Sequence, residues 1–180
     1  VVKRVREINP DAIICLYGLY AGLNADYLLE SGADFCIAGE YEMPLVALIE
    51  MSFRRELLPS PLPKGVIGRG LEADPFLQRL PFTVPSRHGL SSLDMYVRLK
   101  HNGEQRLVGY VEGSRGCKHL CTHCPIPPVY GGRFFAIPRE IVIEDIGRQV
   151  DAGATHISFG DPDFLNGPTH SSRLVREMNA

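Results

Sequence analysis

Arg106-Leu107-Val108-Gly109-Tyr110-Val111-Glu112 runs directly into Gly113-Ser114-Arg115-Gly116-Cys117-Lys118-His119-Leu120-Cys121-Thr122-His123-Cys124-Pro125. The first stretch reads as a strand, and the second as a loop that crowds three cysteines together. Upstream, Tyr96-Val97-Arg98-Leu99-Lys100 alternates and Asn102-Gly103 supplies a tight turn, so the strand is the return arm of a hairpin. Downstream, Arg139 to Ala152 is helical, with Ile141, Ile146 and Val150 on one face and Gly153 at its end. Thr155-His156-Ile157-Ser158-Phe159 is the next strand, closed by Gly160-Asp161-Pro162, and Ser171 or Ser172 opens another helix. Strand, loop, helix, strand, loop, helix is the opening of a β/α barrel or half-barrel.

The cysteine spacing is C-x3-C-x2-C. Cysteines this close cannot build a useful disulfide framework and read as metal or redox chemistry in a reducing compartment. Three thiolates bind three corners of a cubane cluster and leave one iron without a protein ligand. An open position suits catalysis, whereas a closed ligand set suits structural or electron-transfer roles. Two closed alternatives stand beside this one. A structural zinc site would take His119 or His123 as its fourth ligand. A ferredoxin-like cluster needs four cysteines. Cys124-Pro125 has the proline of such runs, but no fourth cysteine is near. Cys15 and Cys36 sit in separate apolar runs and read as small core residues.

The first third of the chain alternates helix and strand. Val2, Val5 and Ile8 have helical spacing, and Asn9-Pro10 stops that helix. Ala12 to Tyr17 is a buried strand closed by Gly18, and Asp34 to Ala38 is a second one closed by Gly39. Between them, Asn24 caps a helix running to Glu30; after them, Met43 to Met51 forms an amphipathic helix. This order implies a parallel sheet with crossover helices. Two strands are too few for a stable sheet, so further strands are expected upstream of Val1. From Leu57 to Pro85 the prolines 59, 61, 63, 75, 81 and 85 and the glycines 65, 68 and 70 mark a linker with little regular structure.

The cysteine loop after the first strand of a β/α unit resembles the radical S-adenosylmethionine superfamily, from Val108 onward. The resemblance implies that Cys117, Cys121 and Cys124 ligate a 4Fe–4S cluster whose free iron binds S-adenosylmethionine. It also implies reductive cleavage to a 5′-deoxyadenosyl radical. His123 stands where the family commonly has an aromatic residue near the adenine. Gly160-Asp161-Pro162-Asp163 stands where the family often has Gly-Gly-Glu, so Gly160 and either Asp161 or Asp163 are expected to receive the methionine amino group; a helix-capping Asp is the alternative. Gly32-Ala33-Asp34 through Gly39-Glu40-Tyr41-Glu42 resembles the last strand and helix of the cobalamin-binding domain fused ahead of many such enzymes. Gly18 and Gly39 would then face the corrin or its nucleotide tail, or else merely make tight turns.

The expected architecture is therefore α/β. Residues 1–56 form the C-terminal half of a Rossmann-like cobalamin-binding domain, residues 57–95 a linker, and residues 96–180 the first β/α units of a radical S-adenosylmethionine partial TIM barrel. The expected cofactors are the cluster, S-adenosylmethionine and cobalamin. The expected partners are an external one-electron reductant, such as flavodoxin or ferredoxin, and a substrate that the sequence does not identify. A methylthiotransferase is a further reading, but those enzymes carry a second cysteine set, which Cys15 and Cys36 do not resemble. A composition of 44% hydrophobic and 22% charged residues is ordinary for a soluble globular protein. The net charge of −2 argues against a nucleic-acid-binding surface. No apolar run reaches the roughly 18 residues of a membrane span, and no signal peptide is evident, so a cytoplasmic protein is expected. The chain opens inside a helix without Met, as a piece of a longer protein would.

Overall fold

The computed structural model describes residues 1–54 and 61–179. The boundary at 56/57 and the start of the linker, including Pro59, lie outside the described residues. The chain divides into two compact units, one of Val1–Leu80 with His119–Arg133, the other of Pro81–Lys118 with Phe134–Ala180. Both are mixed α/β, and the described strands close no barrel.

The first unit holds α1 (Val2–Ile8), β1 (Cys15–Tyr17), α2 (Leu19–Leu23), α3 (Ala25–Glu30), β2 (Phe35–Ile37), α4 (Glu42–Phe53), β3 (Val66–Gly68) and α5 (Ile126–Tyr130). β1 and β2 run parallel, with Leu16 opposite Cys36, as the helix-strand alternation requires. The third strand comes from the Pro- and Gly-rich stretch: β3 pairs antiparallel to β2, with Ile67 opposite Cys36. Three residues flanked by turn formers carry too short a pattern to be read as a strand, and only the pairing with β2 defines it. Phe35, Ile37, Leu48 and Val66 pack as one core cluster, and Ala25, Leu29 and Cys36 as another. Asn24 precedes α3 as expected, but its side chain makes no capping bond; Asn24 Nδ2 instead donates to the Tyr20 carbonyl at 2.9 Å. α4 differs from the amphipathic expectation. It buries Pro44 and Leu48 yet exposes Met43, Val46, Ile49 and Phe53, because it is apolar nearly all round. α5 was hidden from sequence reading by Pro127 and Pro128, which a helix accepts in its first turn, where the lost N–H has no partner in any case.

The second unit holds β4 (Arg98–His101), β5 (Glu104–Val111), β6 (Ser114–Gly116), β7 (Phe134–Ala136), α6 (Arg139–Asp151), β8 (His156–Phe159) and α7 (Pro168–Met178). The hairpin forms at Asn102 and Gly103, both at positive φ (50° and 81°), as a type I′ turn needs. β5 pairs parallel with β8, from Val108 opposite His156 to Val111 opposite Phe159, so the strand-helix-strand unit is present. β6 and β7 form a separate antiparallel ribbon. α6 buries Val142, Asp145, Ile146 and Gln149, a stripe at i, i+3, i+4 and i+7. The expected face of Ile141, Ile146 and Val150 is thus rotated, and Val150 is exposed. Two polar residues occupy the buried stripe because both have partners. Asp145 takes a two-pronged ion pair from Arg87, and Gln149 exchanges hydrogen bonds with the Tyr110 backbone at 2.8 and 3.0 Å. β4 pairs β5 only as far as Leu107, so Gln149 satisfies backbone groups of β5 beyond the end of its neighbour. α7 begins with Pro168 rather than at Ser171 or Ser172; Ser171 lies buried and donates to the Phe164 carbonyl.

Candidate metal centre and its supports

All three loop cysteines are free thiols. Cys117 follows β6, is buried, and belongs to the second unit; Cys121 and Cys124 belong to the first. A backbone bond from Cys124 N to Cys121 O at 3.2 Å closes a turn, so these two residues stand at its ends, within about 7 Å of each other at Cα. Among the described residues, no three His, Cys, Asp or Glu side chains are gathered as a metal would hold them. The donor chemistry nevertheless suits a thiophilic metal group: three unpaired thiols, two joined by a turn, and the third accepting an N–H bond described below. His119 and His123 are both exposed.

The start of the loop is clamped by Asp161. Its carboxylate accepts from Gly113 N at 2.9 Å and from Ser114 Oγ. Gly113 fits closely there, since a Cβ would lie 3.3 Å from an Asp161 oxygen and 3.2 Å from Leu174 Cδ1, so any side chain would press on both. The Gly113 carbonyl accepts from Ile137 N and meets His170 Nε2, each at 3.0 Å. Both Asp161 oxygens are thus engaged by the segment that launches the cysteines, with further lone-pair capacity remaining. Asp163 caps a 3-10 turn (Phe164–Asn166), accepting from Leu165 N at 3.0 Å. That is the capping alternative, realised at Asp163. Gly160 N donates to Val111 O at 2.8 Å and so continues the β5–β8 register. Tyr110 beside it has its phenol pushed above its usual range, by burial first and then by Glu112 and Asp161.

Two groups in this region escaped sequence reading. Asn166 is 7% exposed and donates Nδ2–H to Cys117 Sγ at 3.3 Å. Only Asn166-Gly167-Pro168 hinted at anything there, and it reads as an ordinary turn. Lys118 donates its backbone N–H to Asn166 Oδ1 at 2.9 Å and its ammonium to Asn166 O at 3.0 Å, and its Nζ lies 4.8 Å from the Phe134 ring centre.

In the first unit, Gly39 and Glu40 end β2. A Cβ on Gly39 would lie 2.8 Å from Phe76 N, so the glycine serves the close approach of Phe76. Glu40 is 1% exposed and accepts from the Tyr130 hydroxyl at 2.8 Å, fastening α5, the helix that follows the cysteine loop, to the end of β2. Gly18, at φ 103°, would meet nothing within 4 Å and opens on free space. Tyr17 and Tyr41 stack beside it, with ring centres 4.5 Å apart. For a corrin, Gly18 thus offers room, while the space beside Gly39 is filled by Phe76. Cys15 is pushed up to about 11, by burial first and then by Cys36, and burial raises Cys36 as well.

The fold and the loop together define a class: a mixed α/β chain in which a β/α unit launches a three-cysteine loop. One solved structure sharing the fold is the radical S-adenosylmethionine methyltransferase TsrM from Kitasatospora setae with tryptophan substrate and the SAM analog aza-SAM bound. It matches with a TM-score of 0.71 and 19% identity, over 98% of this chain and 34% of that one. TsrM with cobalamin and a [4Fe-4S] cluster bound matches at 0.67 and 19%, over 98% and 36%. The chain thus spans about a third of the length of those chains. No family model and no curated protein matches the sequence. Among the described residues, no helix is long and apolar enough to cross a membrane.

Proposed function

We propose that Cys117, Cys121 and Cys124 hold a 4Fe–4S cluster that serves S-adenosylmethionine chemistry in a cobalamin-associated radical enzyme. The observation that carries this reading is the trio of free thiols at C-x3-C-x2-C, on the loop that follows β6, just after β5 has paired with β8. The shared fold with a cluster- and cobalamin-binding methyltransferase supports it. When bound, the cluster supplies the electron for reductive cleavage of S-adenosylmethionine. The chain's own part is positioning. Asp161 holds the loop's first residues, Glu40 and Tyr130 anchor the helix after it, and Asn166 orients Cys117. In this reading His123 lies by the adenine, Gly160 with Asp161 or Asp163 receives the methionine amino group, and Gly18 faces cobalamin, whereas Gly39, expected with it from the sequence, is buried against Phe76. The division into residues 1–56, 57–95 and 96–180 belongs to the same reading, as do hydrogen abstraction, a methyl-transfer outcome and a flavodoxin- or ferredoxin-type reductant. The raised Cys15 and Cys36 thiols are poor ligands and speak against a methylthiotransferase's second cysteine set.

Anaerobic reconstitution with iron and sulfide, followed by electron paramagnetic resonance, tests this function. A reduced-cluster signal that changes on adding S-adenosylmethionine is expected. A signal indifferent to S-adenosylmethionine, or purified protein carrying one zinc and no iron, overturns the reading in favour of a closed metal module.

A further inference from the structure

Asn166 has an amide whose orientation is dictated by its neighbours. Its Oδ1 faces the Lys118 backbone N–H at 2.9 Å, a group that only donates, so oxygen must stand there. The NH2 end then meets two acceptors. One is Asp163 Oδ2 at 3.1 Å; the other is Cys117 Sγ at 3.3 Å. Both Cys117 and Asn166 are buried, so water competes little for this N–H. Asp163 itself is held at the head of the 3-10 turn by Leu165 N. The donor is therefore pre-aimed by a chain from Leu165 through Asp163 to Asn166, and the loop is locked to it by both ends of Lys118.

We propose that Asn166 is a positioning residue that tunes the metal group held by Cys117, making it easier to reduce. The inference rests on the cluster reading above. An N–H aimed at a ligating sulfur withdraws charge from it and favours the state carrying the extra electron, which raises the reduction potential. Nothing in the fold alone calls for this donor to face sulfur. The Lys118 bonds would secure the loop without it, and a purely structural Asn166 would leave the potential unmoved.

The test is a redox titration of the reconstituted protein, monitored by electron paramagnetic resonance, on wild type, Asn166→Ala and Asn166→Asp. Asn166→Asp keeps an oxygen for Lys118 N but replaces the donor by an anionic acceptor. Both variants are expected to shift the midpoint to more negative potential, Asp further than Ala. A second measurement needs no variant. Wild-type protein labelled with side-chain 15N asparagine is expected to show a nitrogen coupling to the reduced cluster in electron-nuclear double resonance, with an exchangeable proton lost in D2O. A cluster that forms with an unshifted midpoint in the variants, or without the nitrogen coupling in wild type, overturns the role of Asn166 and leaves the cluster reading standing. Wild type that binds no iron overturns the cluster reading itself, and with it this inference.

Discussion

Five cysteines fall into two environments, and the contrast between them shows what makes a thiol available for chemistry. Cys15 and Cys36 lie on adjacent parallel strands, and Cys36 is fully buried at 0% exposure. Burial disfavours the thiolate, so both are poor metal ligands. Cys117, Cys121 and Cys124 lie on a loop whose start is clamped by Asp161 and whose first thiol faces an N–H donor. The residue type is the same; the difference is that Cys15 and Cys36 pack among apolar side chains of the first unit, while Cys117 on the loop meets an amide donor. Within the first unit, Glu40 at the end of β2 holds the helix that follows Cys121 and Cys124.

Alanine substitution sets the sharpest test of that contrast. Cys117→Ala, Cys121→Ala or Cys124→Ala is expected to abolish most iron uptake on reconstitution, while Cys15→Ala and Cys36→Ala leave the iron-to-protein ratio unchanged. Iron uptake that survives a loop substitution but fails with Cys36→Ala would invert the comparison. Alkylation of the metal-free protein should separate the same two sets by rate. Exposed Cys121 is expected to react first with iodoacetamide and Cys36 only on unfolding, as mass spectrometry of timed samples would show.

A smaller effect is expected at the shared anchor. Tyr130→Phe removes the hydroxyl that donates to buried Glu40 and should cost roughly 1–3 kcal/mol in urea unfolding. An unchanged midpoint would mean that Glu40 is satisfied without it. The smallest effect is a pH dependence. Cys15 keeps its proton in the fold up to about pH 11, against an ordinary value of 9.0. Between these values the unfolded chain sheds a proton that the folded chain retains, so its contribution to stability is whole below pH 9 and is lost as pH rises toward 11. Thermal melts across that window should fall for wild type and fall less steeply for Cys15→Ser. Equal slopes would show that Cys15 does not set the alkaline limit.

Much of this organisation was legible in the residue order. The hairpin at Asn102-Gly103, the helix from Arg139 and the strands β2 and β8 follow from period and turn chemistry, which are local properties. What was not legible depended on partners distant in sequence. β3 exists because β2 offers an edge to it. The buried face of α6 runs through Asp145 and Gln149, which a hydrophobic pattern assigns to solvent, because Arg87 and the Tyr110 backbone meet them there. Gly160 with Asp161 or Asp163 marks a ligand-facing turn in the residue order, but the bonds from Asp161 to Gly113 and Ser114 join residues 48 and 47 positions apart and carry no sequence signal.

The sequence by itself determined the alternation of strands and helices, the spacing of the three loop cysteines and the separation of Cys15 and Cys36 from them, since each is a matter of residue type and interval along the chain. Tertiary structure alone decided which polar groups those residues meet. Asn166 lies 49 residues from Cys117, and no interval in the sequence marks the pair. Their 3.3 Å contact arises because the parallel pairing of β5 with β8 brings the segments that follow the two strands to the same edge of the sheet. Hydrogen bonds act over a few ångströms, so the fold has to close before such a donor and its sulfur can meet.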